Sequence, residues 1–63
     1  MKAEMVSKWL DTLKADINSA EAVLNGIRNA GEEDESLCNA IVEMKTSYVS
    51  LTHLYETLKE GGY

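Results

Sequence analysis

Apolar residues recur at alternating intervals of four and three positions in two separate segments of the chain. This spacing keeps the side chains on one stripe of an α-helix, as in helices that pack side by side. The first stripe is Val6, Leu10, Leu13, Ile17, Ala20, Leu24 and Ile27, and the second is Leu37, Ile41, Met44, Tyr48, Leu51, Tyr55 and Leu58. The pattern predicts two helices of similar length, over about residues 3–29 and about residues 37–60.

The segment between the stripes, about residues 30–36, has residues typical of a turn that connects two helices. Gly31 can take the left-handed conformation that ends a helix, and either Asp34 or Ser36 can cap the next one. Asn25-Gly26 is a weak point in the first helix, because an interior glycine costs roughly 1 kcal/mol relative to alanine. The sequence leaves open whether this helix breaks there.

A short turn places consecutive helices antiparallel and adjacent, so the predicted fold class is all-α, an antiparallel two-helix hairpin of coiled-coil type. Further apolar residues flank the stripes: Trp9, Val23, Ala30, Cys38, Val42, Val49 and Leu54. These residues widen each stripe beyond what one neighbouring helix covers. We therefore expect two hairpins to pair as a homodimeric four-helix bundle, with docking on a different protein as the alternative.

Composition and charge narrow the possible partners. The 63 residues allow one domain, and 11 acidic against 6 basic residues give a formal net charge of -5. This charge disfavours nucleic acid and anionic lipid as partners. Cys38 is a lone cysteine, and apolar runs are too short for a signal sequence or a membrane span. The expected location is the cytoplasm.

Candidate catalytic and metal-binding groups lack the partners that such sites need. His53 and Glu56 have helical spacing, but a metal site in a bundle needs further inward-facing ligands from other helices. The acidic run at 32–35 lacks the spaced ligands of a calcium loop. His53 lies roughly 20 Å along the helix from Cys38, too far to activate it. We predict no catalytic residue, metal or cofactor, and thus no enzyme.

The remaining class is a small interaction protein that acts as a regulator, inhibitor or chaperone-like adaptor through one face of a helical bundle. Exposed aromatic and apolar residues are typical anchors of such faces. An acidic turn can in addition bind a basic patch on a partner. The candidate partner-binding residues are Met5, Trp9, Val42, Val49 and Leu54, together with the turn acids Glu32, Glu33, Asp34 and Glu35.

Two resemblances give an alternative function. The length, the two matched heptad segments and the lone mid-chain Cys38 resemble the Rop type of RNA-binding hairpin dimer over nearly the whole chain. That resemblance implies RNA contacts from basic and polar residues of the first helix around an aromatic residue. The basic residues of this segment are Lys2, Lys8, Lys14 and Arg28, and Asp11, Asp16 and Glu21 interrupt them.

The second resemblance covers residues 25–31. Asn25-Gly26-Ile27-Arg28-Asn29-Ala30-Gly31 is similar to an Asn-x-Ile-Lys-x-x-Gly stretch of helical phage proteins that sequester signalling nucleotides, with Arg28 in place of the lysine. This resemblance implies a nucleotide-sequestering helical hairpin. For the small interaction protein described above, a phage or mobile element is the expected origin.

Overall fold

The structure, a computed structural model that describes residues 2–62, is a hairpin of two α-helices. Helix α1 spans Lys2–Asn29 and helix α2 spans Glu35–Glu60, and the two pack against each other. No strand occurs in this part of the chain. The predicted all-helical hairpin is therefore confirmed.

The turn between the helices is built by hydrogen bonds at both of its ends. At the end of α1, Gly31 has a φ of 81°, its N–H donates to the Arg28 carbonyl, and the N–H of Glu32 donates to the Ile27 carbonyl over 3.1 Å. This pattern of two hydrogen bonds around a left-handed glycine is the Schellman motif, which satisfies carbonyls that the helix end leaves unpaired. The predicted role of Gly31 is confirmed.

Asp34 caps the start of α2. Its carboxylate accepts a hydrogen bond of 2.9 Å from the N–H of Leu37, which satisfies one of the amide groups that the first helical turn leaves unpaired. Because the cap is Asp34 and not Ser36, α2 begins at Glu35, two residues before the predicted start near 37. The turn is correspondingly shorter than predicted.

Helix α1 runs without interruption through Asn25-Gly26. The Gly26 carbonyl accepts a hydrogen bond from the N–H of Ala30, and apart from its chain neighbours and the backbone of its own helix no atom lies within 4 Å of the position that a Cβ on Gly26 would take. Packing of the stripe residues on either side of Gly26 thus offsets the free-energy cost of the glycine, and the helix does not break.

The two helices bury their stripes unequally. In α1 every seventh residue is buried, and this buried column consists of Ala3, Leu10, Ile17 and Leu24. The other column of the same stripe is only half-buried and consists of Val6, Leu13, Ala20 and Ile27. In α2, within the described residues, Ile41 alone is buried, and the remaining stripe residues are half-buried. Ala3, which lies before the predicted stripe, extends the buried column by one turn.

The molecule is long and thin, with Cα extents of 49 × 15 × 11 Å. Its radius of gyration is 14.7 Å, whereas a compact domain of this length has about 10.6 Å. Its accessible surface is 4708 Å², against roughly 4,000 Å² for a compact protein of this mass. Within residues 2–62, neither helix has the length and hydropathy needed to cross a bilayer.

Candidate interaction surfaces

The hairpin has two broad sides, and polar contacts between the helices identify the first. The Nζ atom of Lys45 in α2 lies 3.1 Å from Oε2 of Glu21 in α1. Closer to the hairpin turn, Nη2 of Arg28 lies 3.9 Å from Sγ of Cys38. Both contacts flank the buried column of α1, since Glu21 lies three residues before Leu24 and Arg28 lies four residues after it. We call this surface the ion-pair side; it includes Lys14, Glu21, Arg28, Cys38, Val42, Lys45, Val49 and the residues that share their heptad positions.

Two of the predicted partner-binding residues, Val42 and Val49, lie on the ion-pair side. Both valines are exposed, by 57% and 68%. They are seven residues apart on α2, so they lie on one edge of that helix. Val49 lines a shallow groove with Lys14, Ile17, Lys45 and Tyr48. Here apolar surface alternates with charged side chains.

Trp9 and Leu54 identify the opposite side. The Trp9 indole on α1 and the Leu54 side chain on α2 together line two neighbouring grooves, one with Met5 and Leu58 and the other with Ser47. Met5, Trp9 and Leu54 are exposed by 72%, 58% and 44%. The structure therefore brings three of the predicted partner-binding residues together at the open end of the hairpin.

Val23 extends this apolar surface toward the turn, although it is not among the predicted partner-binding residues. It lies 58% exposed, two heptads after Trp9 and so on the same edge of α1. The sequence contains the signal, because the interval of fourteen residues places both side chains beside the half-buried column. We call this surface the Trp9 side; it includes Met5, Trp9, Val23, Ala40, Ser47, Ser50, Leu54 and the residues that share their heptad positions.

The two sides differ most in charge. By heptad register, the charged residues on the Trp9 side within residues 2–62 are Lys2, Asp16 and Glu43. Those on the ion-pair side are Glu4, Asp11, Lys14, Glu21, Arg28, Glu35, Lys45, Glu56 and Lys59. The Trp9 side has small residues in their place, namely Ser19, Ala20, Gly26, Ala30, Ala40, Ser47 and Ser50. Covering the Trp9 side thus removes far fewer charges from water.

The acidic turn, whose four acids are predicted to bind a partner, also has a structural role. Glu33 accepts hydrogen bonds of 3.1 and 3.2 Å from Nε of Arg28, and Asp34 caps α2. Glu35 lies in the first turn of α2, where the helix dipole favours a negative charge. Glu32 is exposed. The turn lies at the far end of the hairpin from the Trp9 indole, so it forms a third, separate surface.

Side chains with chemical reactivity do not converge. His53 is exposed and Cys38 is half-buried on the same helix. Over residues 2–62 no three His, Cys, Asp or Glu side chains come close enough to hold a metal ion. Of the basic residues, Arg28 and Lys45 are each paired with a carboxylate. The ionisable side chains of residues 2–62 are thus distributed over the surface of the hairpin and do not form a metal-binding cluster.

No protein-family model, curated protein or solved structure matches this chain.

Proposed function

We propose that this chain is a non-catalytic protein–protein interaction module that acts as a regulator, inhibitor or chaperone-like adaptor through a face of a helical bundle. The observation that carries the proposal is the distribution of exposed apolar side chains. Large apolar residues lie exposed on both broad sides of a hairpin with very few buried residues. Exposed apolar patches of this kind mark binding surfaces.

The ion-pair side has the composition of a surface for another protein. Val42 and Val49 supply apolar area, and Lys14, Lys45 and Glu21 surround them with both signs of charge. Interfaces between proteins that also exist apart combine an apolar centre with a polar rim in this way. Charges at the rim select the partner, whereas the valines supply binding energy.

The experiment begins with purification of the tagged chain from the cells that make it, followed by identification and separate purification of whatever protein copurifies. Binding of the two pure proteins is then measured by calorimetry for wild type, Val49→Glu and Asn39→Glu, the last an exposed polar control on the outer surface of α2. We expect Val49→Glu to weaken binding by at least about tenfold, because a carboxylate replaces a desolvated apolar contact. Asn39→Glu leaves the affinity unchanged.

Salt separates this function from binding of nucleic acid or nucleotide. Contacts between proteins that rest on apolar area change little between low and moderate salt, whereas phosphate contacts weaken steeply. We expect the dissociation constant to change by less than about threefold over that range. A steep loss of affinity with salt, or turnover of a substrate that a single polar substitution abolishes, contradicts the proposal.

A further inference from the structure

We propose that the Trp9 side is the self-association surface of this protein and that its occupant is a second copy of the same chain. The inference rests on the proposed function, since both treat the hairpin as a module whose two sides are used. It adds the assignment of one side to the second copy, which leaves the ion-pair side for a different protein. Three features of the Trp9 side support this assignment.

The first feature is charge. Each chain carries a formal net charge of -5, so two copies repel each other at long range. In a two-fold symmetric dimer both chains use the same patch. Each charged residue of that patch is therefore brought near the patch of the other chain, which contains an identical charged residue. The Trp9 side brings only Lys2, Asp16 and Glu43 into such an interface among the described residues. The ion-pair side has three times as many charged residues to remove from water.

The second feature is the half-buried column of α1, represented by Leu13 and Ile27, which opens toward the Trp9 side. In α2 the corresponding residues, such as Met44 and Leu51, are half-buried as well. A second hairpin on this side completes their burial, which is how four-helix bundles form their core. The buried column, by contrast, is already covered by α2.

The third feature is size and shape. With Cα extents of 49 Å by 15 Å, one broad side has a footprint of roughly 700 Å², close to the ~800 Å² that each partner buries in a stable interface. Small residues along this side, among them Ala20, Ala40 and Ser47, let helix axes approach to about 8–10 Å. The bulky Trp9 and Leu54 lie at one end.

Trp9 makes the proposal directly measurable in the unmodified chain, because it is the only tryptophan. In the single hairpin its side chain is 58% exposed. We expect its fluorescence to shift to shorter wavelength and its quenching by acrylamide to fall as the protein concentration rises from about 0.1 to about 100 μM. The midpoint coincides with the transition from monomer to dimer mass in analytical ultracentrifugation.

A matched pair of variants assigns the surface. Val23 on the Trp9 side and Val42 on the ion-pair side are the same residue type with nearly equal exposure, 58% and 57%. Val23→Glu places two carboxylates in the symmetric interface, so we expect the dissociation constant of the dimer to rise by at least about 100-fold. Val42→Glu changes it by less than about threefold.

The proposal is wrong if the chain stays monomeric with an exposed indole at the highest concentration, or if Val42→Glu dissociates the dimer and Val23→Glu does not. Circular dichroism on the same samples shows whether Val23→Glu still forms helix. A second variant, Ser47→Glu, tests the same surface from α2 at an exposed polar position. These measurements need no partner protein. Loss of partner binding in Val49→Glu with an intact dimer therefore tests the proposed function separately.

Discussion

The two columns of apolar residues along α1 differ although the sequence makes them look alike. Leu10 and Ile17, beside the ion-pair side, are 8% and 7% exposed, whereas Val6 and Leu13, beside the Trp9 side, are half-buried. Both columns consist of aliphatic residues at heptad spacing. The difference shows that one neighbouring helix covers one half of a heptad stripe and leaves the other half to further packing.

The largest expected effect compares the two columns directly. Ile17→Ala removes a buried side chain and should lower the free energy of unfolding of the hairpin by about 2–4 kcal/mol. Leu13→Ala, at a half-buried position, should lower it by about half as much. Urea unfolding followed by circular dichroism at low protein concentration measures both.

The same comparison at high concentration tests the second copy. If a second hairpin covers the Trp9 side, the cost of Leu13→Ala rises with protein concentration and approaches that of Ile17→Ala, because the dimer buries Leu13. Equal costs at low concentration would mean that the hairpin alone covers both columns. A concentration-independent cost of Leu13→Ala would argue against dimerisation through this side.

Loss of the helix cap should have a smaller effect than Ile17→Ala. Asp34→Ala removes the acceptor for the Leu37 N–H and should cost about 1 kcal/mol, whereas Asp34→Asn retains an oxygen acceptor and should cost less. Thermal unfolding of both variants checks this order. Neither change touches the columns, so their relative burial should be preserved. The losses in free energy of unfolding caused by Ile17→Ala and Leu13→Ala should therefore keep the same ratio in the Asp34→Ala background. A different ratio would mean that the cap and the columns are not independent.

Two glycines should respond to alanine with opposite signs. Gly26 lies within α1 on the Trp9 side, and apart from its chain neighbours and the backbone of its own helix no atom lies within 4 Å of the point where an alanine methyl would sit. Gly26→Ala should therefore stabilise α1 by about 0.5–1 kcal/mol. Gly31 has a φ of 81°, so Gly31→Ala should destabilise the turn by about 1–2 kcal/mol. Melting temperatures at low concentration give both signs. A destabilising Gly26→Ala would show that this stretch of α1 has no room for a methyl group at position 26.

The smallest expected effect concerns the ion pair across the buried column. Glu21 and Lys45 are 41% and 56% exposed, so Glu21→Gln should cost below about 0.5 kcal/mol, and the cost should vanish at high salt. Glu56→Gln is the control, because no ion pair within residues 2–62 involves Glu56. A larger loss of stability that salt does not change would mean that the Glu21–Lys45 ion pair, and not the buried apolar column beside it, holds the two helices together on this side.

The main features of the fold are predictable because they depend on local patterns. Heptad spacing predicts both helices, and Gly31 can be identified because a left-handed residue is needed where a helix turns back. The structure places the start of α2 at Glu35, two residues before the position near 37 that the sequence predicts, because Asp34 and Ser36 are both good caps and the sequence does not choose between them. The continuity of α1 at Gly26 does not follow from the sequence, because neighbouring packing decides it.

The interaction surfaces are predictable only in part. The apolar residues Met5, Trp9 and Leu54 are predicted together, and the structure places them in shared grooves. Their separation from Val42 and Val49 is not predicted, because it depends on how far each helix is rotated about its axis. That rotation is set by packing across the hairpin, and the heptad pattern alone does not specify it.

The smallest Cα extent of the hairpin, 11 Å, means that the molecule is one layer of helices thick. The buried and half-buried columns are therefore neighbouring rows of the same helix, one behind each broad side, with no further layer of helices between them. We therefore expect a protein that binds one side to alter the packing available to the other, and in that case the two binding events are thermodynamically coupled and the coupling is reciprocal.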